Sequence, residues 1–205
     1  MGLLFWFRAR SRSRPHEPPC TAPSRCPFLT TGTGRTKPTR LTKGAAMEHV
    51  PFGDTPFTRC VFYRKVCDLP ATIDPPEIGR IVMPADHVWA VMMPAHLGQR
   101  VRIHLRNRGA ETGPIISHLR SNRWSYLVRP DLPDETALFA ELFRIDVSVV
   151  RTGGTIALPS PTDRGARFRR WIQPPRCAFR PSGQAIVASI RACAGGHAGW
   201  GGHRS

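Results

Sequence analysis

Short apolar runs alternate with segments of helical periodicity along residues 54–194, and this alternation constrains the fold more than any other feature. The apolar runs are bounded by Pro, Gly, Asn or Asp, which is typical of strands. The helical segments have apolar residues three and four positions apart, which is typical of amphipathic helices. The predicted helices cover residues 56–66, 94–109, 132–144 and 183–194, and the predicted strands cover residues 79–83, 88–93, 114–118, 123–129, 145–150, 155–160 and 166–172.

This order of elements predicts an α+β fold in which helices flank a mixed or largely antiparallel sheet, because strands and helices do not alternate strictly. The Gly-containing turn "RTGG" predicts that the strands at 145–150 and 155–160 form a hairpin. The third helix is predicted to bury four apolar side chains, namely Leu138, Phe139, Leu142 and Phe143.

Three regions of the chain differ in composition. Residues 1–46 have nine basic groups, one acid and no hydrophobic periodicity, so they are predicted to be a disordered basic extension. A second interpretation is that translation begins at Met47, because Lys43 and Gly44 imply purine-rich codons at the usual position of a bacterial ribosome-binding site. Residues 47–194 form the predicted folded domain, and residues 195–205 are predicted to be a flexible Gly-rich tail.

The balance of charge is strongly basic. The chain has 30 Lys and Arg residues and 14 Asp and Glu residues, which gives a formal net charge of +16. Such a charge attracts polyanions, including nucleic acids. A GC-rich genome would also encode many arginines, and both interpretations stay open.

The apolar runs and the cysteines indicate in which cellular compartment the protein is expected. No apolar run reaches the roughly 18 residues of a membrane span, so no membrane partner is predicted. The six cysteines form no C-x-x-C pair, so a zinc site is not expected. Without a secretory signal, we expect a cytoplasmic protein with reduced thiols.

The sequence motifs of common enzymes are absent. No nucleotide-binding glycine loop follows a predicted strand, and neither G-x-S-x-G nor H-E-x-x-H occurs. No pair of acids stands at the end of a predicted strand, where Mg²⁺ would need carboxylate oxygens. The residues therefore predict no metal site and no cofactor.

Three segments resemble, in the same order, parts of the N-terminal catalytic domain of bifunctional DNA primase/polymerases, the prim-pol fold. In that family a buried strand ends in a D-x-D metal motif, a second pair of strands carries a His that contacts nucleotide phosphate, and a Gly-rich turn leads to "PPS" and a Tyr-x-Trp strand. The corresponding segments are "VWAVMMPAHLG" (88–98), "RSNRWSYLV" (120–128) and "GGTIALPSPTDRGARFRRWI" (153–172). In the third segment, the matching residues are Gly153, Gly154, Pro159, Ser160, Gly165, Phe168 and Trp171.

Residues 47–194 also resemble a group of short actinobacterial proteins with "GPIxSHxRSxRWxFLxxPDLP" and "IALPSPxD" segments. These proteins look like degenerate, stand-alone prim-pol domains, and some carry the label of a DNA-directed RNA polymerase subunit beta. The acidic metal-binding signature of that polymerase subunit does not occur in this chain. The resemblance implies a prim-pol-like domain with a degenerate active site.

The chain departs from the family pattern at the positions where that family binds metal and contacts phosphate. Met92 and Met93 stand where acids would bind metal, and a thioether is a poor ligand for Mg²⁺. Ser125 stands where the phosphate-contacting His would be. His118 could reach the same pocket, or it could be an ordinary hydrogen-bonded His at a strand end. Together with Asp146 these residues form a predicted vestigial cleft, and no residue is predicted to be catalytic.

Arginines and aromatic residues suggest a surface that binds nucleic acid or nucleotide through phosphate contacts and stacking. The alternative is that the rings face the core, which is favoured for Trp124, and that the helix arginines form a solvated face. The predicted binding residues are Arg102, Arg106, Arg120, Arg123, Trp124, Tyr126 and Arg129. A second basic edge, with the same two interpretations, contains Arg167, Arg169 and Arg170.

Three functions are compatible with these features. The first is a catalytically inactive prim-pol-like domain that binds nucleic acid or nucleotide, or that regulates replication or transcription. The second is a protein–protein interaction module that uses the Met-lined cleft, because Met-rich surfaces adapt to partners. The third, a nucleotidyltransferase with a relocated metal site, is the least favoured.

Overall fold

The computed structural model describes residues 52–163 and 169–195. The elements of these residues are, in chain order, α1 (Pro56–Lys65), β1 (Thr72–Ile73), one 3-10 turn (Pro76–Ile78), β2 (Ile81–Pro84), β3 (Trp89–Pro94), α2 (Ala95–Asn107), β4 (Ile115–His118), β5 (Arg123–Val128), α3 (Thr136–Arg144), β6 (Ser148–Val150), β7 (Thr155–Leu158), β8 (Arg169–Gln173) and α4 (Gly183–Ala194). The α+β prediction is confirmed. The predicted extension at 1–46, the start of the predicted strand at 166–168 and the predicted tail after Gly195 lie outside the described residues.

The strands form two sheets. A five-stranded sheet has the order β6-β3-β5-β4-β8, and a three-stranded sheet has the order β1-β2-β7. Every pairing between these strands is antiparallel. Of the two sheet types that the sequence allowed, the antiparallel one is therefore the one observed.

The predicted hairpin between residues 145–150 and 155–160 is wrong. β6 pairs with β3 in the five-stranded sheet, whereas β7 pairs with β2 in the three-stranded sheet. The turn between them does form, since the Gly154 N–H donates to the Arg151 carbonyl at 2.8 Å. Ile156 and Leu158 are buried against the same core as β2, and this burial decides the partner of β7.

The five-stranded sheet is the middle layer of the fold. On one face, which we call the helix side, Val91 and Tyr126 pack with residues of α2, α3 and α4. On the other face, which we call the small-sheet side, Ala90 and Leu127 pack with residues of α1 and the three-stranded sheet. Because both faces are covered, β5 buries even its polar Ser125, which is 1% exposed.

Helix α3 differs from its prediction in its start and in two of the four predicted core residues. It begins at Thr136, after Pro133 and an extended Glu135. Leu138 and Leu142, which are one turn apart, face the core as predicted. Phe143 is 79% exposed, and Phe139 is only partly buried and belongs to neither core cluster. The prediction that these two rings lie in the core is therefore wrong.

A chain of hydrogen bonds ties β8 to the small-sheet side. The Trp171 indole N–H donates to the Tyr63 hydroxyl at 2.8 Å, and that hydroxyl donates to the Pro159 carbonyl, also at 2.8 Å. Burial raises the pKa of Tyr63 to about 12. These bonds connect β8 both to α1 and to the segment that follows β7, and so they hold β8 in place.

Candidate functional site

A row of three basic side chains crosses the small-sheet side of the five-stranded sheet, at the end where β4 turns into β5. Arg169 of β8 lies opposite His118 of β4, and His118 lies opposite Arg123 of β5. Residues directly opposite each other in antiparallel strands share a face and have Cβ atoms about 5 Å apart. The strand register thus places one imidazole between two arginines, and we call these three residues the basic row.

A second row lies next to the basic row and one step further into the sheet. Ser125 of β5 has Met92 of β3 on one side and Ile116 of β4 on the other. Met92 in turn lies opposite Ser148 of the edge strand β6, and Ile116 lies opposite Trp171 of β8. Trp171, Ile116 and Ser125 therefore lie directly beside the basic row, and the Met92 thioether lies diagonally from Arg123.

His118 connects the two rows. Its Nε2 atom and the Ser125 hydroxyl share a hydrogen bond of 2.8 Å, in which either group can donate, depending on the tautomer. Burial is the main cause that lowers the pKa of His118, and the charges of Arg169 and Arg123 lower it further. The neutral imidazole is favoured, and an anion placed against the row would favour its protonation.

Arg123 is held by the backbone and by one carboxylate. Its guanidinium donates to the Asp146 carboxylate at 2.6 Å and to the Asp146 carbonyl at 2.8 Å, with a longer contact to the Met92 carbonyl at 3.4 Å. The Asp146 side chain is 71% exposed, whereas that of Arg123 is 19% exposed. An exposed carboxylate of this kind contributes only about 0–1 kcal/mol to an ion pair, so another anion can replace it.

Arg169 has an unsatisfied donor. Its Nε atom is buried and has no hydrogen-bond acceptor among the described residues. The nearest carboxylate oxygen, Asp163 Oδ2, lies 3.8 Å away, within ion-pair range but beyond hydrogen-bond range. That same oxygen accepts from the Ser160 N–H at 3.0 Å. A buried donor without an acceptor costs about 1–3 kcal/mol.

The chemistry open to this cluster is the binding of an anion. Guanidinium groups present donors that match phosphate and carboxylate oxygens. The Ser125 hydroxyl is too deeply buried to attack a substrate. Over residues 52–163 and 169–195, no group of three or more His, Cys, Asp or Glu side chains is placed to hold a metal ion.

The structure brings together some, but not all, of the residues of the predicted vestigial cleft. Met92, Ser125 and His118 lie in the two adjoining rows, and Asp146 reaches them through Arg123. Met93 does not join them, because successive strand residues point to opposite faces. It is fully buried in the core of the helix side.

The predicted nucleic-acid-binding residues do not form one surface. Arg123 belongs to the basic row, and Arg120 is exposed in the adjoining β4–β5 turn. Arg129 lies beyond the other end of β5, where it forms an ion pair with Asp131 at 3.8 Å. Arg102 and Arg106 lie on α2, on the opposite side of the sheet.

The two aromatic residues of this set are packed on the helix side. Tyr126 is fully buried and donates its hydroxyl to the Gly98 carbonyl at 2.7 Å, so its ring is closed to a ligand. Burial raises its pKa. Trp124 is partly buried and packs against the same core, with its ring over Gly98. The core orientation favoured for Trp124 agrees with this packing.

For two residues near the basic row, the place predicted from the sequence differs from the place in the structure. Arg169 was assigned to a separate basic edge, because the pairing of β8 with β4 is not visible in the local pattern. Phe143 was predicted to lie in the core. Its side chain is exposed, and its carbonyl accepts at 3.0 Å from the N–H of Asp146, the residue that binds Arg123. The left-handed backbone at Asp146, with φ of 57°, turns the chain at this point.

The fold and the cluster together define a three-layer α+β domain with a histidine and two arginines in one row on its central sheet. Comparisons of the chain with family models, with curated proteins and with solved structures gave no match. None of the helices in the described part of the chain is long and apolar enough to cross a membrane.

Proposed function

We propose that this chain is a catalytically inactive prim-pol-like domain that binds nucleic acid or nucleotide through phosphate, or that regulates processes acting on nucleic acid. The observation that carries the proposal is the basic row, in which His118 lies between Arg123 and Arg169 and shares a hydrogen bond with Ser125. The row offers charge, donors and a titratable imidazole at one place on the sheet.

Phosphate is the anion that suits these groups. Exchange of the exposed Asp146 carboxylate would leave guanidinium donors of Arg123 for phosphate oxygens, and Arg169 adds a second positive charge beside His118. A phosphate would also bring negative charge to His118, which favours the imidazolium and adds a third cation. The exposed Arg120 in the neighbouring turn extends the positive charge toward solvent.

Catalytic inactivity rests on the residues next to the row. Met92 lies beside Ser125, at the strand position where the prim-pol resemblance expects a carboxylate that binds metal. A thioether neither binds Mg²⁺ well nor offsets the charge of a triphosphate. We therefore expect no nucleotide incorporation on a primed template with either Mg²⁺ or Mn²⁺, and any template-directed product would overturn this part of the proposal.

The binding experiment compares arginine variants of the full chain. Fluorescence anisotropy with labelled oligonucleotides should show weaker binding for Arg123→Gln and Arg169→Gln than for the unaltered protein. Removal of one arginine that binds phosphate should reduce the slope of log affinity against log salt by about 0.7–0.9. Arg80→Gln is the matched control, because Arg80 is also a partly exposed arginine near a carboxylate, Asp74, but lies by the three-stranded sheet.

A chain that begins at Met47 separates the domain from the basic segment before it. Salt-dependent binding by this shorter chain supports the proposal. Binding by the full chain alone would assign the affinity to residues 1–46 and would overturn it. Equal affinities of the Arg123, Arg169 and Arg80 variants would overturn the assignment to the basic row.

A further inference from the structure

Phe143 is the most exposed of the large apolar side chains recorded in the described part of the chain, at 79%. A single exposed apolar residue is common on protein surfaces and needs no function. The backbone of Phe143, however, is connected through Asp146 to Arg123 of the basic row. Its carbonyl accepts from the Asp146 N–H, and Asp146 accepts two hydrogen bonds from Arg123.

A second aromatic ring lies one helical turn before Phe143. Phe139 precedes it by four residues on α3, which corresponds to about 6 Å along the helix axis. The Arg151 guanidinium lies over the Phe139 ring, 4.4 Å from its centroid. Arg144, which follows Phe143, is also exposed. This edge of α3 thus has one exposed ring, Phe143, and one partly buried ring, Phe139, with Arg144 and Arg151 beside them.

Exposed rings among basic side chains are the arrangement with which proteins hold single strands, because every unpaired base has a face that can stack. The bases of a duplex already stack on each other, so a ring on a helix surface has no free base to contact. We propose that Phe143 stacks on a base of a single-stranded nucleic acid whose backbone phosphate contacts Arg123. This inference rests on the proposed function, and it names the ligand class of the same site.

The test uses the full chain and labelled oligo(dT) of about 12 nucleotides, a length within the range of known single-strand sites. Stacking contributes about 1–3 kcal/mol per base. Phe143→Ala should therefore weaken binding by about 5- to 150-fold. The slope of affinity against salt should not change, because Phe143 carries no charge. Phe57→Ala, which removes a phenylalanine that is 65% exposed on α1, should leave the affinity unchanged.

A tryptophan at the same place gives a direct readout. Phe143→Trp should bind oligo(dT) as tightly as the unaltered protein, and its added fluorescence should be quenched on binding. An abasic oligonucleotide of the same length should bind through phosphate without that quenching. Parallel titrations with oligo(U) show whether the strand held is DNA, RNA or either.

The outcomes separate this inference from the proposed function. If Phe143→Ala binds as tightly as the unaltered protein while Arg123→Gln binds weakly, stacking at Phe143 is overturned and phosphate binding stands. If Phe143→Ala weakens duplex binding as much as single-strand binding, the choice of a single strand is overturned. If none of the proteins binds an oligonucleotide, both proposals fall.

Discussion

His118 on β4 and Ser125 on β5 share a hydrogen bond across two rows of the sheet. The register sets His118 opposite Arg123 and sets Ser125 opposite Ile116, so the bond runs diagonally between neighbouring rows. Diagonal neighbours of this kind are within reach of long side chains. The bond holds the imidazole against a buried hydroxyl, in a fixed position between the two arginines.

Replacement of Ser125 should show what this bond contributes. Ser125→Ala removes a buried partner of His118, and we expect the free energy of unfolding to fall by about 0.5–1.5 kcal/mol. Urea denaturation measures this change. Ser148→Ala is the control, because Ser148 lies in the same row but is exposed. An equal loss for both variants would mean that the hydrogen bond is not the cause.

The lowered pKa of His118 predicts a loss of stability in mild acid. The unfolded state, with an ordinary His pKa of about 6.5, takes up a proton at higher pH than the folded state does. The contribution of His118 is therefore fully present above the unfolded pKa and is lost as the pH falls through the lower, folded pKa.

Urea denaturation between about pH 7.5 and 5, around the ordinary His pKa, tests this linkage. His118→Gln should lose less stability than the unaltered protein across that interval, while His96→Gln, on the exposed surface of α2, should follow the unaltered protein. Arg169 and Arg123 face His118, and the carboxylates of Asp163 and Asp146 lie behind these arginines. A steeper pH dependence for His118→Gln than for the unaltered protein would contradict the assignment.

Gly98 is a position where α2 packs closely against Trp124 of the sheet. A Cβ atom added there would lie 2.9 Å from Cε3 and 3.1 Å from Cβ of Trp124. Overpacking of this kind costs about 1–3 kcal/mol, whereas Ala in place of Gly favours a helix by about 1 kcal/mol. We expect Gly98→Ala to lower the melting temperature, and Gly195→Ala, where nothing lies within 4 Å of the added carbon, to change it little. A rise for Gly98→Ala would show that Trp124 moves freely.

The bonds of Tyr63 should couple β8 to α1. Tyr63→Phe leaves the Trp171 indole N–H and the Pro159 carbonyl without their partner, and each buried orphan costs about 1–3 kcal/mol. Trp171→Phe removes one of the same bonds. In chemical denaturation, the loss for the double variant should be smaller than the sum of the two single losses. Additive losses would indicate that the two side chains act independently.

The helices and most of the strands could be predicted from the sequence, because each of them carries a local sequence signal. The last helix was placed at 183–194 with its Ser182 cap, and the Ser182 hydroxyl accepts from the Ala185 N–H at 3.3 Å. The short strand β1 was missed, since two residues are too few to show alternation. Pairing was the main error, because a turn signal at 151–154 does not specify which sheet the following strand joins.

Part of the candidate site could be predicted from the sequence. Met92, Ser125, His118 and Asp146 were selected from segments that the structure places side by side. The role of Arg169 could not be derived, because it depends on the pairing of β8 with β4, between residues about 50 positions apart. The exposure of Phe143 could not be predicted either. Periodicity identifies the apolar face of α3, but it does not show how many residues of that face are covered by the core.

Local patterns in the chain were enough to place most helices and strands, to predict an α+β fold, and to put a thioether and a hydroxyl at two positions of the central sheet. These features depend on propensity, periodicity and residue chemistry, all of which are read from neighbouring residues. The folded structure was needed to show which strands pair, which face of β5 meets which layer, and that His118 lies between Arg123 and Arg169. Burial of apolar surface acts on the whole chain at once, so it selects strand partners that no local pattern encodes.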